Sequence, residues 1–504
     1  MAAKPGGGDT DTWDFVVIGG APPGENVAQY AIQGSERSAV IVEDQLVGGE
    51  CSYWACMPSK GLLRPVEVLA TARHLPGPQS LVGESTLDVQ AVLDRRDEIV
   101  KHHDDTSQLD WASGVGIDVV RGRGRLAGIR TVEVTTADGS IRTLHARHAV
   151  VLDTGTTATV PPVPGLREAL PWISRDVTNL HVIPRRMAVI GGGVVACEAA
   201  TWLNGLGVKE LTVIGSAPGL LARNEPFAGE YVQRELDSRG VTLRLGVEVE
   251  RVERVDPRDT GEGLVHGGEV TVHFAGGSVV VDEVLVAAGR TPVSRDIGLD
   301  TVPLATGGTL DAAVEDNRGY VRVDDHLAVE GVDGDWLYAV GDLNGRALLT
   351  HMGKYQARIC GTVLAARAQG LPIDGPRFSD VADHGIVPQV TFTDPQVASV
   401  GLSEREARAA GIDVETVEYD LGALAGTYVM RDGYTGRAKI VIDAASDTLV
   451  GATFVGPEVS DLVHAATVAI VGGVTLERLW HAVPSYPTPS EIWLRLLETR
   501  YNPS

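Results

Sequence analysis

Two segments of the chain share one pattern of apolar and small residues. Residues 14–31 read DFVVIGGAPPGENVAQYA, and residues 187–203 read MAVIGGGVVACEAATWL. In each, a short apolar run is followed by a glycine turn and then by small residues at helical spacing. This pattern predicts a strand, a turn and a helix that open a dinucleotide-binding βαβ unit, with second strands at Ser38–Val42 and Leu211–Ile214. The sequence therefore indicates two bound nucleotides.

Alternating apolar positions mark the segments that follow each unit. Val119–Val151 and Val241–Ala288 are rich in Val, Thr and Gly, which predicts β-meanders. From about Pro388 the pattern changes to strands (QVTF, AKIVIDA, LVGATFVG) mixed with helices, including Ser403–Ala410, which opens with a capping box. This last part is expected to be a separate α+β domain.

Composition narrows the class of protein. A chain of 504 residues predicts about three domains, and 60 glycines suit an α/β protein with many tight turns. The net charge of -24 disfavours nucleic acid and anionic membranes as partners. Four cysteines are too few for the disulfide framework of a secreted protein. No signal-like start and no run of 18 apolar residues is seen, so we expect a cytoplasmic protein that binds no membrane.

The first glycine turn departs from the usual pattern at one position. Gly19, Ala21 and Gly24 occupy the three glycine positions, and Glu43 ends the second strand, where it would accept hydrogen bonds from ribose hydroxyls. Ala21 stands where glycine normally lets the backbone approach a pyrophosphate, and two prolines follow it. The helix N-terminus can still hold the anion. Taken alone, the motif could equally be a structural turn.

A cysteine-rich segment follows Glu43 and carries the resemblance to a family. Residues 48–60, GGECSYWACMPSK, resemble the redox-active segment of the pyridine nucleotide-disulfide oxidoreductases, the family of glutathione reductase, dihydrolipoamide dehydrogenase and mercuric reductase. Cys51 and Cys56 at a helix start can close a small disulfide ring, and a helix N-terminus stabilises a thiolate. The alternative is a reduced pair of core cysteines.

The resemblance extends over nearly the whole chain. LDTGTTATVPPVPGL resembles the segment that returns from the FAD domain, although Asp153 stands where a small apolar residue is usual. EVLVAAGRTPV resembles the second such return, and YAVGDLNGRALLTHMGKYQARI the distal FAD motif, in which Asp342 would bind FAD. In the second glycine turn the three positions hold Gly191, Gly193 and Ala196, and alanine is an accepted residue at the third. The residues after its second strand, Gly215 and Ser216, are not acidic, which favours NADPH while leaving NADH open.

The resemblance implies the fold, the domains and the cofactor contacts. The expected fold is α/β, with two Rossmann-like dinucleotide-binding domains plus a C-terminal α+β dimerisation domain that forms a homodimer with shared active sites. The expected segments are a flexible tail (1–12), an FAD-binding domain in two parts (13–165 and 291–375), an NAD(P)-binding domain (166–290) and a dimerisation domain (380–504). The implied cofactor-binding residues are Gly19, Gly24, Glu43, Gly49, Lys60, Gly124, Thr154, Gly155, Gly191, Gly193, Ala196, Ser216, Gly289, Gly341 and Asp342.

The resemblance also implies a path for electrons. NADPH would reduce FAD, and FAD would reduce the disulfide through Cys56, which lies nearer the flavin ring in the family. Cys51 would then attack a small-molecule acceptor. Lys60 would pair with Glu198 and tune the flavin edge. Between the cysteines, Tyr53 and Trp54 could stack on an aromatic acceptor or belong to the core.

The C-terminal segment differs from the family at the residue that donates a proton. Relatives carry a histidine, followed by Pro-Thr and a glutamate five positions on, that protonates the leaving thiolate. This chain reads PSYPTPSE, so Tyr486 replaces the histidine and Glu491 is retained. A tyrosine donates a proton but is a poor base at neutral pH. An alternative role for Glu491 is a helix-opening capping box with Thr488, and His481 is a further candidate acid.

Three functions therefore stay open. The first is reduction of a thiol-reactive or disulfide acceptor through Cys51 and Cys56. The second is reduction of a quinone, a metal ion or another electrophile, directly from the flavin. A mercuric substrate is disfavoured because no cysteine follows Cys360, and carbanion chemistry at the thiolate is a minor alternative. The third is a flavin-binding subunit without turnover. No metal site is expected.

Overall fold

The computed structural model describes residues 11–502. The strands are β1 (Thr12–Ile18), β2 (Ala39–Glu43), β3 (Ile117–Arg121), β4 (Arg123–Leu126), β5 (Thr131–Thr135), β6 (Ile141–Leu152), β7 (Thr156–Ala158), β8 (Arg186–Ile190), β9 (Glu210–Gly215), β10 (Thr242–Leu245), β11 (Val249–Arg254), β12 (Val270–Phe274), β13 (Gly277–Val281), β14 (Glu283–Val286), β15 (Arg290–Pro292), β16 (Leu337–Ala339), β17 (Gln389–Thr391), β18 (Gln396–Gly401), β19 (Val414–Asp420), β20 (Arg437–Asp443) and β21 (Thr448–Gly456).

The helices connect these strands and cover the sheets. They are α1 (Pro22–Ile32), α2 (Gly49–Tyr53), α3 (Cys56–Arg73), α4 (Pro76–Val82), α5 (Val89–Ile99), α6 (Thr106–Gly114), α7 (Ser174–Thr178), α8 (Val194–Gly205), α9 (Pro226–Ser238), α10 (Leu310–Asp316), α11 (Thr350–Arg367), α12 (Glu404–Ala409), α13 (Ala425–Met430), α14 (Leu462–Val471), α15 (Leu476–Leu479) and α16 (Ile492–Tyr501). Within the described residues, no helix is both long and apolar enough to span a bilayer.

The chain divides into two compact units. The first consists of Met1–Cys56, Val100–Thr157 and Arg290–His384, and the second of Met57–Ile99, Ala158–Gly289 and Gly385–Ser504. The domain boundaries expected from the sequence stay a prediction. The expected flexible tail lies outside the described residues except for its last two, and Thr12 already begins β1.

The first unit is built on a seven-stranded sheet. Its order is β3-β2-β1-β6-β5-β4, with β16 also paired to β6. β1 pairs in parallel with β2 and with β6, and β16 is parallel to β6. The apolar runs of these strands are almost completely buried, as strands covered on both faces require. Only β4, β5 and β6 form the expected meander, because β3 pairs in parallel with β2 instead.

Helix α1 packs closely on helix α11 in this unit. A Cβ atom added to Gly361 of α11 would lie 2.5 Å from the Cβ of Tyr30 in α1, so the glycine allows the two helices to touch. The Val27 carbonyl oxygen and the Ala31 backbone nitrogen of α1 lie 2.9 and 3.1 Å from the same added Cβ, so a side chain at this position would push the two helices apart.

The second unit contains three sheets. Strands β10-β9-β8-β14 form a parallel sheet, and β11-β12-β13 form an antiparallel one. The predicted meander over Val241–Ala288 is therefore right only in its middle, since its two ends, β10 and β14, belong to the parallel sheet. Ala196, Ala199 and Ala200 of α8 are completely buried in the core beside this sheet.

The C-terminal part of the second unit is α+β, as predicted. Its five-stranded antiparallel sheet has the order β17-β18-β21-β20-β19. The predicted capping box forms, because the Ser403 hydroxyl accepts from the Glu406 N–H while the Glu406 carboxylate accepts from the Ser403 N–H. Strands β18 and β19 were not predicted. The two dinucleotide-type sheets and this domain confirm the expected fold class.

Candidate functional site

The first glycine turn joins β1 to α1, and two of its three marked positions have no room for a side chain. Gly19 has φ +106°, and a Cβ there would lie 2.0 Å from the Asp153 carbonyl oxygen. A Cβ at Gly24 would lie 2.3 Å from the Gly19 carbonyl oxygen. Gly49, with φ +56°, lies against Ala21 in the same way, with a Cβ separation of 2.8 Å. The predicted glycine positions are therefore required by close backbone contacts.

Glu43 lies where the sequence predicts it, at the end of β2. Its Oε2 accepts from the Gly20 N–H at 2.8 Å, and its Oε1 accepts from the Gln45 N–H at 2.8 Å. Burial raises the pKa of this carboxyl group, while the two hydrogen bonds lower it. These bonds orient the carboxylate beside the glycine turn. Gly124 lies nearby in β4, where a Cβ would be 3.0 Å from a Val42 methyl, so its close contact is with the sheet.

Asp342 is held by a polar cluster in the first unit. Its Oδ2 accepts from the Thr156 hydroxyl at 2.6 Å, and the Arg290 Nε donates to the same hydroxyl at 2.5 Å. The Arg290 guanidinium is 3.7 Å from the Asp342 carboxylate. Burial raises the pKa of Asp342, whereas Thr156 and Arg290 lower it. The sequence analysis missed Thr156 and Arg290, although both lie within the two returning segments it identified.

The neighbouring predicted residues belong to the same part of the molecule. The Thr154 hydroxyl donates to the Val293 carbonyl oxygen at 2.6 Å, and the Gly155 carbonyl accepts from the Val293 N–H. Gly341 follows β16 with φ +69°, and its N–H donates to Gln356 at 2.9 Å. The contacts of Thr154 and Gly155 therefore join the two returning segments, and the Thr156–Asp342 bond joins the first of them to the distal motif.

The two cysteines lie on consecutive helices of the first unit. Cys51 is the third residue of α2, and Cys56 is the first residue of α3. Both are partly exposed. The Cys56 Sγ lies 3.3 Å from the hydroxyl of Thr350, the first residue of α11, which the sequence analysis did not identify. Tyr53 and Trp54 are 3% and 8% exposed and contact His103, so they belong to the core.

Lys60 and Glu198 form the predicted ion pair within the second unit. The Lys60 Nζ is 2.8 Å from Glu198 Oε2, and it lies 4.7 Å from the centre of the Phe392 ring. The other carboxylate oxygen of Glu198 accepts from the Phe392 N–H at 2.9 Å. Glu198 is buried, so its two oxygens are satisfied by a cation and a backbone donor. No sequence signal pointed to Phe392.

The second glycine turn leaves its helix N-terminus accessible. Gly191 has φ +138°, and a Cβ there would lie 2.3 Å from the Ala287 carbonyl oxygen. Gly193 caps α8 and has no heavy atom within 4 Å of an added Cβ. Val194 and Val195, the first two helical residues, are 38% and 42% exposed, and both carry backbone N–H groups. This end of α8 can accept an anion.

The remaining NAD(P) positions surround that turn. Ala196 is completely buried in α8, Ser216 is exposed after the end of β9, and Gly289 has φ +114° with open space beside it. In the part of the chain that the structure describes, no three His, Cys, Asp or Glu side chains are grouped to hold a metal ion.

Tyr486 and Glu491 differ sharply in exposure. Tyr486 is 76% exposed, whereas Glu491 is buried and its Oε2 has no hydrogen-bond partner among the described residues. The capping-box alternative is wrong, because the Thr488 hydroxyl donates to the Ser485 carbonyl oxygen instead of capping the helix. His481 lines a cleft together with Trp480 and Arg500. Glu491 is therefore a buried carboxylate that no contact within the described chain fully satisfies.

Comparison with known proteins identifies two family regions in the chain. The pyridine nucleotide-disulphide oxidoreductase family matches residues 13–370, and the dimerisation domain of that family matches residues 387–496. A dihydrolipoyl dehydrogenase from Chlamydia muridarum is 30% identical over 489 residues, covering 96% of each chain. A mercuric reductase from Staphylococcus aureus is 28% identical over 481 residues, covering 95% of this chain and 81% of its own.

Solved structures share the fold at lower identity. The HOCl-induced flavoprotein disulfide reductase RclA from Escherichia coli, solved as a Cu(II) complex, matches with TM-score 0.79 and 22% identity, covering 97% of this chain and 99% of that chain. LpdA from Mycobacterium tuberculosis matches with TM-score 0.78 and 22% identity, covering 96% and 99%.

Two substitutions separate the contacts of Glu198. Glu198→Ala removes both the cation's partner and the acceptor for the Phe392 N–H, so we expect a loss of about 1–3 kcal/mol in the free energy of unfolding. Glu198→Gln keeps the acceptor, and Lys60 is 38% exposed, so the loss should be about 1 kcal/mol or less. Urea unfolding at pH 7 measures both. Equal losses would contradict this division.

Proposed function

Because the chain belongs to the family of FAD-dependent pyridine nucleotide-disulphide oxidoreductases, we propose that it oxidises NAD(P)H and reduces a small-molecule acceptor through Cys51 and Cys56. The observation that carries this proposal is the position of the cysteines. Cys56 opens an 18-residue helix with its sulfur 3.3 Å from the Thr350 hydroxyl, and Cys51 lies partly exposed on the preceding helix. When bound, FAD joins a two-electron hydride donor to disulfide chemistry.

The first unit fits FAD at three places. The glycine turn brings the start of α1 close to the end of β1, since a Cβ at Gly19 or Gly24 would overlap a backbone oxygen. Glu43 presents an oriented carboxylate at the end of β2, which suits ribose hydroxyls. Asp342, held by Thr156, suits the ribityl hydroxyl groups. These contacts lie at the carboxyl ends of parallel strands, where dinucleotides bind in this type of fold.

The cysteine pair performs the proposed thiol chemistry. Two electrons cleave the Cys51–Cys56 disulfide and leave two sulfurs, one of which takes up a proton. The Cys51 thiolate then attacks a disulfide acceptor, and the acceptor's first sulfur leaves as a thiolate that takes up a proton. Cys56 attacks the Cys51 sulfur of the mixed disulfide, expels the second thiol and restores the Cys51–Cys56 disulfide. Thr350 can donate a hydrogen bond that holds Cys56 as a thiolate. Lys60, one turn after Cys56 in α3, adds a positive charge whose position Glu198 fixes.

We propose a homodimer in which Tyr486 and Glu491 serve the partner's acceptor site. The dimerisation domain spans residues 387–496. Apolar side chains in this region are exposed, as expected of an interface: Tyr428, Val429, Val468, Val471, Val483 and Tyr486. A buried Glu491 oxygen without a partner in one chain has a place for a further donor. Tyr486 supplies a hydroxyl where the family supplies an imidazole.

The preference for NADPH, the cellular location and the absence of nucleic-acid and membrane partners are proposed from three features of the sequence. NADPH is proposed over NADH because Ser216, and no acidic side chain, follows β9. A cytoplasmic location is proposed because a redox pair that cycles needs a reducing compartment. No nucleic-acid or membrane partner is proposed for a chain with net charge -24.

A spectroscopic titration tests the electron path. Anaerobic addition of one equivalent of NADPH should produce a long-wavelength absorbance band, because a Cys56 thiolate then lies beside oxidised flavin. Cys56→Ser should abolish the band. Cys51→Ser should show it before any NADPH is added, since Cys56 then has no disulfide partner. Immediate flavin bleaching without the band in the wild-type protein would favour the alternative, direct reduction of a quinone or other acceptor from the flavin.

Substitutions of Tyr486 test whether the replaced histidine limits the reduction of small disulfides. Tyr486→His should raise the reduction of a small disulfide such as glutathione disulfide by about tenfold or more, because an imidazole can protonate the leaving thiolate. Tyr486→Phe should lower turnover with the true acceptor and leave FAD content unchanged. If neither substitution changes any rate, Tyr486 has no part in the reaction. Steady NADPH consumption with an artificial acceptor excludes the third possibility, a flavin-binding subunit without turnover.

A further inference from the structure

The N-terminus of helix α1 has fewer backbone N–H groups than the N-terminus of helix α8. The first two helical residues of α1 are Pro22 and Pro23, and proline has no backbone N–H. Val194 and Val195, at the matching positions of α8, both have one. A dinucleotide pyrophosphate is normally held by such N–H groups. Of the first three helical positions of α1, only Gly24 can donate.

The Gly24 N–H is already bonded to a carboxylate. Asp153 follows β6 directly, and its Oδ2 accepts from the Gly24 N–H at 2.6 Å. The Asp153 N–H donates to the Ile18 carbonyl oxygen at 2.8 Å, so strand pairing fixes its backbone beside the turn. The residue is 3% exposed. The one helix-start donor of α1 therefore has a protein partner.

The same carboxyl group reaches the distal motif. A Cβ added to Gly341 would lie 2.9 Å from Asp153 Oδ1, and one added to Gly24 would lie 2.8 Å from Asp153 Oδ2. Asp153 thus extends between the glycine turn and the segment that carries Asp342. Those two segments are the ones proposed to hold the pyrophosphate and ribityl parts of FAD.

The surroundings of Asp153 are acidic. Burial raises its pKa well above the usual range, the bond from Gly24 lowers it, and the carboxylates of Asp342, Glu43 and Glu25 raise it further. Burial also raises the pKa of Glu25 to about 7, against the charge of Lys354 on α11. Arg290 is engaged with Thr156 and Asp342. A pyrophosphate with two negative charges would meet this group of carboxyl groups.

We infer that the Asp153 carboxyl group takes the place of a phosphate at the N-terminus of α1, so that Asp153 limits the affinity of the chain for FAD. This inference rests on the proposed function only in that FAD binds the first unit. FAD is then held chiefly by contacts with its ribose and ribityl parts. Removing the Asp153 carboxyl group frees the Gly24 N–H for another acceptor.

The test compares FAD binding to full-length variants. Each protein is depleted of FAD and titrated with FAD while flavin fluorescence is recorded, without NADPH or any acceptor. Asp153→Ala should bind FAD about tenfold or more tightly than wild type, because a hydrogen bond to a charged phosphate is gained. Asp153→Asn should bind FAD within about twofold of wild type, because its side-chain oxygen still accepts from the Gly24 N–H. Pro23→Ala should also tighten binding, because it adds a donor.

A control and a contrary result complete the design. Asp110→Asn removes an exposed negative charge from α6 of the first unit and should change FAD affinity less than twofold. Equal or weaker FAD binding by Asp153→Ala than by wild type would overturn the inference. If Asp153→Ala does not fold, Pro23→Ala decides, and equal or weaker binding by that variant would overturn the inference. Loss of the absorbance band in the NADPH titration would overturn the electron path but would leave this order of affinities unchanged.

Discussion

The parallel pairing of β1, β6 and β16 is the constraint on which the rest of the first unit depends. Ile18 pairs with Leu152, and Leu152 pairs with Ala339, so the three strands end at the same level. The residues that follow must then lie side by side, whatever their distance in the sequence. This is why Asp153 meets the glycine turn on one side and Gly341 on the other. A substitution at any one strand end changes the surroundings of the other two.

Local patterns were enough to predict the parts of the site that follow one another in sequence. The glycine turn, Glu43 at a strand end and the cysteine pair are each marked by residue type and spacing within a few positions. The partners that came from elsewhere in the chain were missed. Thr350 reaches Cys56 across 294 residues, and Phe392 reaches Glu198 across 194. Such contacts depend on how strands and helices pack, which single-sequence periodicity does not contain.

Departures from the family pattern were visible in the sequence, but their connection was not. The sequence marks Asp153 as an unusual residue in a returning segment and shows two prolines after Ala21. The structure joins them, because prolines remove donors from α1 while Asp153 accepts from the donor that is left. In the meanders, β3, β10 and β14 share the alternating composition of their neighbours, yet they pair in parallel with β2, β9 and β8 of the dinucleotide-type sheets.

The central claim is that electrons from NADPH reach the Cys51–Cys56 pair, and trapping the thiols tests it most directly. Protein is treated anaerobically with one equivalent of NADPH or with buffer, quenched in denaturant containing iodoacetamide, and mapped by mass spectrometry. All four cysteines are free thiols in the structure. Cys197 and Cys360 are buried and have no part in the proposed cycle, so they should be alkylated in both samples and set the scale. The account predicts that Cys51 and Cys56 are alkylated only after NADPH. Equal alkylation of the pair with and without NADPH would contradict it.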